Sequence, residues 1–156
     1  MGCRGDNFKS FRKIRKGGLV MRHFILASHG TFSRGIYNSV QIILGEQPNT
    51  HIITAYVEEG QDVNDLIEES LKDIPDTDPV IVCTDVFGGS VNNEWMKRLS
   101  RPNTHLITGM NLGLLMNVFM RQDDDIENMI RQSVQEAKDG LIYCNDLLSN
   151  DNEEEF

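Results

Sequence analysis

Residues 79–84 read Pro-Val-Ile-Val-Cys-Thr, an uninterrupted apolar run rich in β-branched side chains. Such a run is typical of a buried β-strand, and it is the clearest strand signal in the chain. Buried strands of this kind belong to parallel sheets that helices cover on both faces. The stretch therefore predicts that the fold is built on a parallel sheet.

Strand and helix patterns alternate on both sides of this stretch. Further strands are predicted at residues 23–28, 51–56 and 104–108, and apolar residues recur at helical spacing after each one. Four such alternations predict a doubly wound α/β domain with a mainly parallel four-stranded sheet and helices on both faces. A last short strand is predicted at Leu141–Cys144.

Helix boundaries follow from capping residues. Gly45 is expected to end the first helix, and Asp62 and Ser90 to cap the second and third. Asp124 and Glu127 have the spacing of a capping box before a fifth helix. The acidic run at residues 123–125 is therefore interpreted as a helix cap and not as a metal site, because neighbouring residues on one turn do not converge on an ion.

Composition limits the classes of function. The chain has 156 residues, 39% of them hydrophobic and 25% charged, which is typical of one globular domain. Its net charge of −9 disfavours nucleic-acid binding and favours basic protein partners. Cys3, Cys83 and Cys144 are odd in number and widely spaced, which argues against a disulfide framework and predicts a cytoplasmic location.

The two ends of the chain differ in charge from the central region. Residues 1–20 hold six basic side chains and one acidic one, whereas residues 149–156 are strongly acidic. We interpret 1–20 as an unstructured extension or expression-vector remnant that precedes Met21; the alternative is a membrane anchor formed by its charge or by acylation. The expected organisation is a domain at 21–148 followed by a disordered acidic tail at 149–156.

Candidate catalytic residues follow the predicted strands, because ligands of such sheets bind beyond the carboxyl ends of the strands. His29 follows the first strand and Asp85 the third, so they meet if those strands are neighbours. A carboxylate that accepts a hydrogen bond from one imidazole nitrogen leaves the other nitrogen free to attack. The pair thus favours a histidine nucleophile, while Cys83 lies inside a strand and is expected to be an inert core residue.

An anion site is predicted beside this pair. Gly88, Gly89 and Ser90 lead into a helix, where backbone N–H groups and the helix dipole favour phosphate. Gly30, Phe87 and Asn111 are candidates for the walls of the site. A nucleophilic histidine, an orienting acid and an anion cradle together predict reversible phosphorylation of His29.

Three motifs resemble the enzyme IIA domains of the mannose family of the bacterial sugar phosphotransferase system. Residues 25–30, Ile-Leu-Ala-Ser-His-Gly, resemble the start of those domains. Residues 85–90, Asp-Val-Phe-Gly-Gly-Ser, resemble their Asp-Thr-Trp/Phe-Gly-Gly-Ser loop. Residues 109–115, Gly-Met-Asn-Leu-Gly-Leu-Leu, resemble their Gly-Val-Asn-Leu-Pro-Met-Leu segment. The motifs occur in the family's order and span most of the chain.

The resemblance implies that His29 accepts a phosphoryl group from the phosphorylated histidine carrier protein (HPr). His29 then passes it to a IIB domain, which phosphorylates sugar during transport through the membrane subunits IIC and IID. Asp85 corresponds to the acid that hydrogen-bonds to the histidine, and Gly89 and Ser90 to the phosphate-contacting loop; no metal or organic cofactor is implied. The resemblance also implies a homodimer that exchanges a C-terminal antiparallel strand, for which Leu141–Cys144 is the candidate.

Two positions depart from the family pattern. Val86 replaces a threonine beside the acid, and Gly113 replaces a proline after the asparagine, so the local phosphate geometry is expected to differ. Two other functions stay open at this point. One is a related phosphocarrier, such as that of dihydroxyacetone kinase systems or the sensor domain of a transcription regulator. The other is an α/β module that only senses an anion.

Overall fold

The structure is a computed structural model that describes residues 13–15 and 18–150. Its first two strands, β1 (Lys13–Arg15) and β2 (Gly18–Val20), form a small antiparallel pair. This pairing corrects our expectation that residues 1–20 lack regular structure, because backbone groups of the two segments hydrogen-bond to each other. The remainder of that extension and residues 151–156 of the predicted acidic tail lie outside the described residues.

The central sheet has four parallel strands: β3 (His23–His29), β4 (Thr50–Ala55), β5 (Val80–Thr84) and β6 (Thr104–Thr108). Their order across the sheet is β4-β3-β5-β6, and every neighbouring pair is parallel. The chain passes from β3 to β4 on one side of β3 and then returns to form β5 on the other side of β3. The strand order therefore reverses between β3 and β5, where ligands bind in this class of fold.

Within the described residues, six helices surround the sheet or follow it. They are α1 (Phe32–Leu44), α2 (Val63–Leu71), α3 (Ser90–Met96), α4 (Leu112–Met120), α5 (Ile126–Asp139) and α6 (Asn145–Asn150). The core cluster on one face joins the sheet to α1, α4 and α5, and the cluster on the other face joins it to α2 and α3. The doubly wound α/β fold predicted from the sequence is thus confirmed.

Alternation along β3 explains why helices cover both faces. Phe24 and Leu26 pack in the first core cluster, and Ile25 and Ala27 pack in the second. Successive side chains of a strand point to opposite faces, so a continuous apolar run supplies both cores at once. This strand consequently lies at the centre of the fold, and its last residue is held rigidly.

The structure confirms some of the predicted helix caps and corrects others. Gly45 ends α1 in a left-handed conformation, and Asp62 caps α2 by accepting from the Asn64 N–H, as expected. The cap of α5 is Asp125, whose side chain accepts from the Asn128 N–H, so our assignment to Asp124 is wrong. The two positions are adjacent in sequence, and the local turn decides which carboxylate faces the open amides.

The predicted strand at Leu141–Cys144 is not a strand in the single chain. The N–H of Leu141 bonds locally to the Lys138 carbonyl, and α6 begins at Asn145. An extended segment needs the edge of a sheet to pair with, and this segment uses local hydrogen bonds instead. Exchange of the segment within a dimer remains a prediction.

Candidate active site

The candidate site lies at the carboxyl edge of the sheet, where β3 and β5 end side by side. His29 is the last residue of β3, and Asp85 directly follows β5. β3 and β5 are aligned so that Ala27 pairs with Thr84. The side chains of His29 and Asp85 therefore lie close to each other at the ends of the two strands. The structure therefore brings together the two residues that the sequence identified, for the reason that the sequence suggested.

One carboxylate oxygen of Asp85 accepts two hydrogen bonds from His29, one from its backbone and one from its ring. This oxygen, Oδ2, accepts from the backbone N–H of His29 and lies the same 2.8 Å from Nδ1 of that ring. An ionised carboxylate can only accept hydrogen bonds, so Nδ1 is the protonated nitrogen. In the neutral imidazole, Nε2 then has the free lone pair that a nucleophile requires.

The ionised state of Asp85 is favoured by these contacts. Partial burial on its own raises the pKa of this carboxyl group, because the charge loses water. The hydrogen bonds from the backbone N–H and ring of His29, the attraction of that ring and the N–H of Val86 outweigh burial and lower the pKa below its ordinary value. Asp85 consequently carries its negative charge at neutral pH.

Nε2 of His29 is open to an approaching molecule. The His29 side chain is 41% exposed, whereas that of Asp85 is 15% exposed. Ser90 Oγ lies 3.1 Å from Nε2 and is the hydrogen-bond partner of the reactive nitrogen. We had predicted a capping role for this serine, but α3 is preceded by Gly89 at its N-cap and Ser90 makes no cap bond. Its hydroxyl faces the imidazole instead.

The glycines of the loop have separate roles. Gly88 has a φ of +76°, a backbone conformation that side-chain-bearing residues rarely adopt. Gly89 has an ordinary φ, but a Cβ there would lie 2.9 Å from Cγ1 of Val86 and 3.0 Å from Cε1 of His29. The loop thus approaches the imidazole so closely that a side chain at position 89 would displace Val86 or His29.

Residues 23–135 match the model of the family described as PTS system fructose IIA component, where PTS denotes the phosphotransferase system. The chain belongs to this family. The matched segment contains the complete sheet and the His29–Asp85 pair, so the predicted membership in the mannose-type IIA family is confirmed.

Relatives of this IIA domain agree with the assignment. The fructose-specific EIIA component of Bacillus subtilis is 25% identical over 127 residues, which are 80% of this chain and 87% of that protein. The mannose-specific EIIAB component of Escherichia coli K12 is 24% identical over 123 residues, which are 75% of this chain but only 38% of that longer protein.

Solved structures share the fold of the IIA domain. A crystal structure from Klebsiella pneumoniae, provisionally described as a phosphoenolpyruvate-dependent sugar PTS permease, is 40% identical with a TM-score of 0.79 and covers 92% of this chain and 99% of its own. The mannose/sorbose-specific IIA subunit of Enterococcus faecalis is 21% identical with a TM-score of 0.71 and covers 78% of this chain and 92% of its own.

Sequence reasoning missed Tyr56 in this IIA domain. Its ring stacks on the His29 ring at a centroid distance of 5.6 Å, and its hydroxyl donates to Ser90 Oγ at 2.7 Å. Tyr56 directly follows β4, the other neighbour of β3. The apolar pattern places Tyr56 inside the second predicted strand, whereas the observed strand ends at Ala55, so the rule that located Asp85 did not reach Tyr56.

The proposed wall residues occupy different positions around the IIA site. Gly30 follows His29 with a φ of +56°, and its N–H bonds to the Ala55 carbonyl. The Phe87 side chain is 78% exposed beside the loop. Asn111 caps α4 through the Leu114 N–H. Among the residues that the structure describes, Asp85 and Ser90 are the hydrogen-bond partners of the His29 ring.

The two departures from the family pattern leave the His29–Asp85 pair in place. The Val86 side chain is half-exposed, and its N–H donates to Asp85 Oδ1. Gly113 lies in the first turn of α4, which the Asn111 cap closes. The Asn111 side chain thus closes that turn without a proline at position 113, and the backbone contacts of Asp85 do not require a threonine at position 86.

Other candidate residues have structural roles. His23 is buried, and its Nε2 lies 3.2 Å from Oδ2 of the buried Asp78. Burial lowers the pKa of both His51 and His105. Burial raises the pKa of the Cys83 thiol to about 12, so this cysteine is an inert core residue, as predicted.

Within residues 13–15 and 18–150, no group of three or more His, Cys, Asp or Glu side chains has the geometry to hold a metal ion. Over the same part of the chain, none of the helices combines the length and apolar character needed to cross a membrane.

Proposed function

We propose that this IIA domain carries a phosphoryl group on His29 between two proteins of the phosphotransferase system. It accepts the group from phosphorylated HPr and passes it to a IIB domain, which uses it for sugar uptake through subunits IIC and IID. The single observation that carries the proposal is the exposed Nε2 of His29, whose lone pair is fixed by the bond between Nδ1 and Asp85. Membership of the IIA family supports the same role.

The transfer is a double displacement at phosphorus. The Nε2 lone pair attacks the phosphorus of phosphohistidine on the donor, a new N–P bond forms, and the old N–P bond breaks with its electron pair returning to the donor imidazole. The His29 ring becomes positively charged because it keeps the proton on Nδ1. The ionised Asp85, at 2.8 Å, stabilises that charge. The same steps in reverse order deliver the group to the acceptor histidine.

The loop at residues 88–90 is the proposed phosphate cradle. Ser90 Oγ already lies at hydrogen-bond distance from Nε2, so its hydroxyl can donate to a phosphate oxygen once the N–P bond has formed. The first N–H groups of α3 have no acceptor within the helix. Phosphoryl transfer depends mainly on positioning and charge stabilisation, which these donors supply without a metal or organic cofactor.

The surroundings of His29 suit docking of a protein. Tyr56 and Val86 are about half-exposed and Phe87 is more exposed, so apolar side chains flank the reactive nitrogen. The chain carries a net charge of −9, which attracts a basic partner surface. We expect the association with HPr to weaken as salt concentration rises. On this proposal the domain acts in the cytoplasm, as the cysteine content predicts.

Phosphorylation of His29 is the direct test. The chain is incubated with phosphoenolpyruvate, the general phosphotransferase protein enzyme I and HPr, and the modified residue is located by mass spectrometry. We expect an acid-labile, base-stable phosphoryl group on His29, none on the His29→Gln variant, and normal labelling of the matched His105→Gln variant. Absence of label, or label on another histidine, contradicts the proposal. The label itself distinguishes phosphoryl transfer from anion sensing, and subsequent transfer to a IIB domain distinguishes sugar transport from the related phosphocarriers.

The chain is also proposed to form a homodimer. Leu141, Ile142 and Tyr143 are exposed in the single chain, at 91%, 55% and 67%, and so are Leu147 and Leu148 of α6. β6 lies at an edge of the sheet with one side unpaired. A second copy that covers these apolar side chains removes their contact with water, which favours association.

A further inference from the structure

We propose that Tyr56 is a positioning residue for phosphoryl transfer at His29. Its hydroxyl fixes the direction in which Ser90 donates its proton, and its ring holds the plane of the imidazole. The inference rests on the proposed function of His29. It extends that function to Tyr56, whose side chain acts through Ser90 and His29. It follows from the chain of contacts Tyr56–Ser90–His29–Asp85.

The geometry of this chain is continuous. The hydroxyl of Tyr56 lies 2.7 Å from Ser90 Oγ, which lies 3.1 Å from Nε2 of His29, and Nδ1 of the same ring lies 2.8 Å from Asp85 Oδ2. The Tyr56 and His29 rings are tilted by only 28° at 5.6 Å, which is a stacked arrangement. Tyr56 thus contacts both the reactive ring and its hydrogen-bond partner.

The direction of each hydrogen bond follows from Asp85. A carboxylate has no proton to donate, so Nδ1 of His29 donates, and in the neutral imidazole Nε2 carries no proton and accepts. Ser90 therefore gives its single proton to Nε2 and has none left for Tyr56. Tyr56 must in turn be the donor to Ser90. In this series of hydrogen bonds, each proton therefore points either toward Nε2 of His29 or toward Asp85.

The conformation of Tyr56 indicates that its side chain is needed at this place. Its φ is +62°, in the left-handed region that favours glycine and that aromatic residues rarely adopt. Its side chain is 53% exposed, so burial in a core does not explain the tyrosine. Residues held in such conformations concentrate at functional sites. The contacts that the side chain gains there are those to His29 and Ser90.

The role during transfer follows from the fate of the Nε2 lone pair. When Nε2 bonds to phosphorus, the lone pair is consumed and the Ser90 proton loses its acceptor. Ser90 cannot turn this proton to Tyr56 while the tyrosine donates to its oxygen. The nearest remaining acceptor is an oxygen of the transferred phosphoryl group. Tyr56 therefore keeps the Ser90 hydroxyl directed at the site before and after transfer.

The test uses single-turnover transfer from phosphorylated HPr to the full chain. Tyr56→Phe keeps the ring and removes the hydroxyl, and we expect a rate at saturating HPr about three- to tenfold lower with an unchanged half-saturation concentration. Tyr37→Phe is the matched control, because the Tyr37 hydroxyl bonds to backbone groups of Gln47 away from the site. That variant should transfer at the rate of the unmodified chain.

The Tyr56→Phe substitution in the Ser90→Ala variant tests whether the Tyr56 hydroxyl acts through Ser90 or affects the transfer rate by another route. In the Ser90→Ala variant, adding Tyr56→Phe should cost no further rate, because the hydroxyl has lost the partner through which it acts. Three results would overturn the inference: an unchanged rate for Tyr56→Phe, a loss that is as large in the Ser90→Ala background, or a raised half-saturation concentration with an unchanged maximal rate. A chain that takes no phosphoryl group overturns the proposed function, and this inference with it.

Discussion

On the proposed function, Asp85 has the greatest influence on the chemistry, because its hydrogen bond to Nδ1 decides which nitrogen of His29 is free to react. Its Oδ2 accepts from two groups of the same histidine, the backbone N–H and Nδ1. The ring is thereby fixed relative to its own backbone and cannot rotate to present the wrong nitrogen. A lone histidine at the end of a strand would lack this restriction.

Replacement of Asp85 by asparagine should slow transfer without unfolding the protein. The amide can still accept one hydrogen bond, but it cannot stabilise the positive charge on phosphorylated His29. A hydrogen bond to a charged group contributes about 1.5–3 kcal/mol, so we expect a rate about 10- to 100-fold lower. The measurement is single-turnover transfer from phosphorylated HPr. The exposed Asp139→Asn is the control, and equal rates for both variants would remove Asp85 from the mechanism.

The charge of Asp85 should also make stability depend on pH. Burial on its own raises its pKa, but the hydrogen bonds from His29 and Val86 prevail and lower the native pKa below that of the unfolded chain. Between these two values the unfolded chain binds more protons, so the free energy of unfolding rises with pH. The contribution of Asp85 is thus complete above its unfolded pKa of about 4 and is lost as pH falls through the lower native value.

The measurement is urea unfolding of the unmodified chain and of Asp85→Asn at pH 7 and at about pH 3. We expect the difference in unfolding free energy between the two proteins to be larger at pH 7 and to shrink at the lower pH. A difference that stays constant over this range would show that the carboxylate charge does not stabilise the native state.

At the scale of elements, the turn from β5 into α3 sets the distance between the loop and the imidazole. Apolar periodicity predicted both elements, and the Gly-Gly-Ser pattern predicted the turn. It did not reveal that Ser90 faces His29 and that Gly89 takes the N-cap position. The Ser90 hydroxyl could either cap α3 or contact His29. Only the position of β3 in the folded protein decides which of these contacts it makes.

Gly89→Ala should impair the site more than the fold. The added Cβ would lie 3.0 Å from Cε1 of His29 and 2.9 Å from a methyl group of Val86, so the imidazole must shift. We expect transfer to slow by about tenfold or more, because phosphoryl transfer is sensitive to displacements below 1 Å. The measurement is single-turnover transfer at saturating HPr.

Gly35→Ala is the matched control for this substitution. It lies within α1 with no atom within 4 Å of the added Cβ, and alanine should stabilise the helix by about 0.5–1 kcal/mol. Its transfer rate should not change. If Gly89→Ala transferred as fast as Gly35→Ala, the close approach of the loop would have no role in positioning.

At the scale of the whole molecule, the described residues end in a segment whose apolar side chains are largely exposed to water. Leu147 and Leu148 of α6 are 55% and 70% exposed. We expect the unmodified protein to sediment as a dimer, and a Leu147→Glu/Leu148→Glu variant to sediment as a monomer because it places two charges in the proposed interface.

Analytical ultracentrifugation distinguishes the two states. Lys97→Glu changes the net charge by the same two units at an exposed position directly after α3, and it should remain dimeric. An unmodified chain that is monomeric at all concentrations would exclude the homodimer. A double variant that remains dimeric would place the interface elsewhere on the molecule.

The sequence by itself determined the layers of the fold and the reacting pair. Continuous apolar runs specify strands buried on both faces, and helical periodicity specifies the segments that cover them. Because parallel strands end at one edge, the positions of His29 and Asp85 in sequence were enough to predict their contact. These inferences depend on local patterns and on a rule of topology that holds for the whole fold class.

Only the tertiary structure decided the finer contacts. Ser90 could have capped α3, Leu141–Cys144 could have formed a strand, and Tyr56 could have been an ordinary surface residue. Each outcome depends on which group lies within about 3 Å once the sheet has assembled, and hydrogen bonds are made or lost over that distance. A sequence pattern records which groups are available, and the packing of strands and helices determines which of them meet.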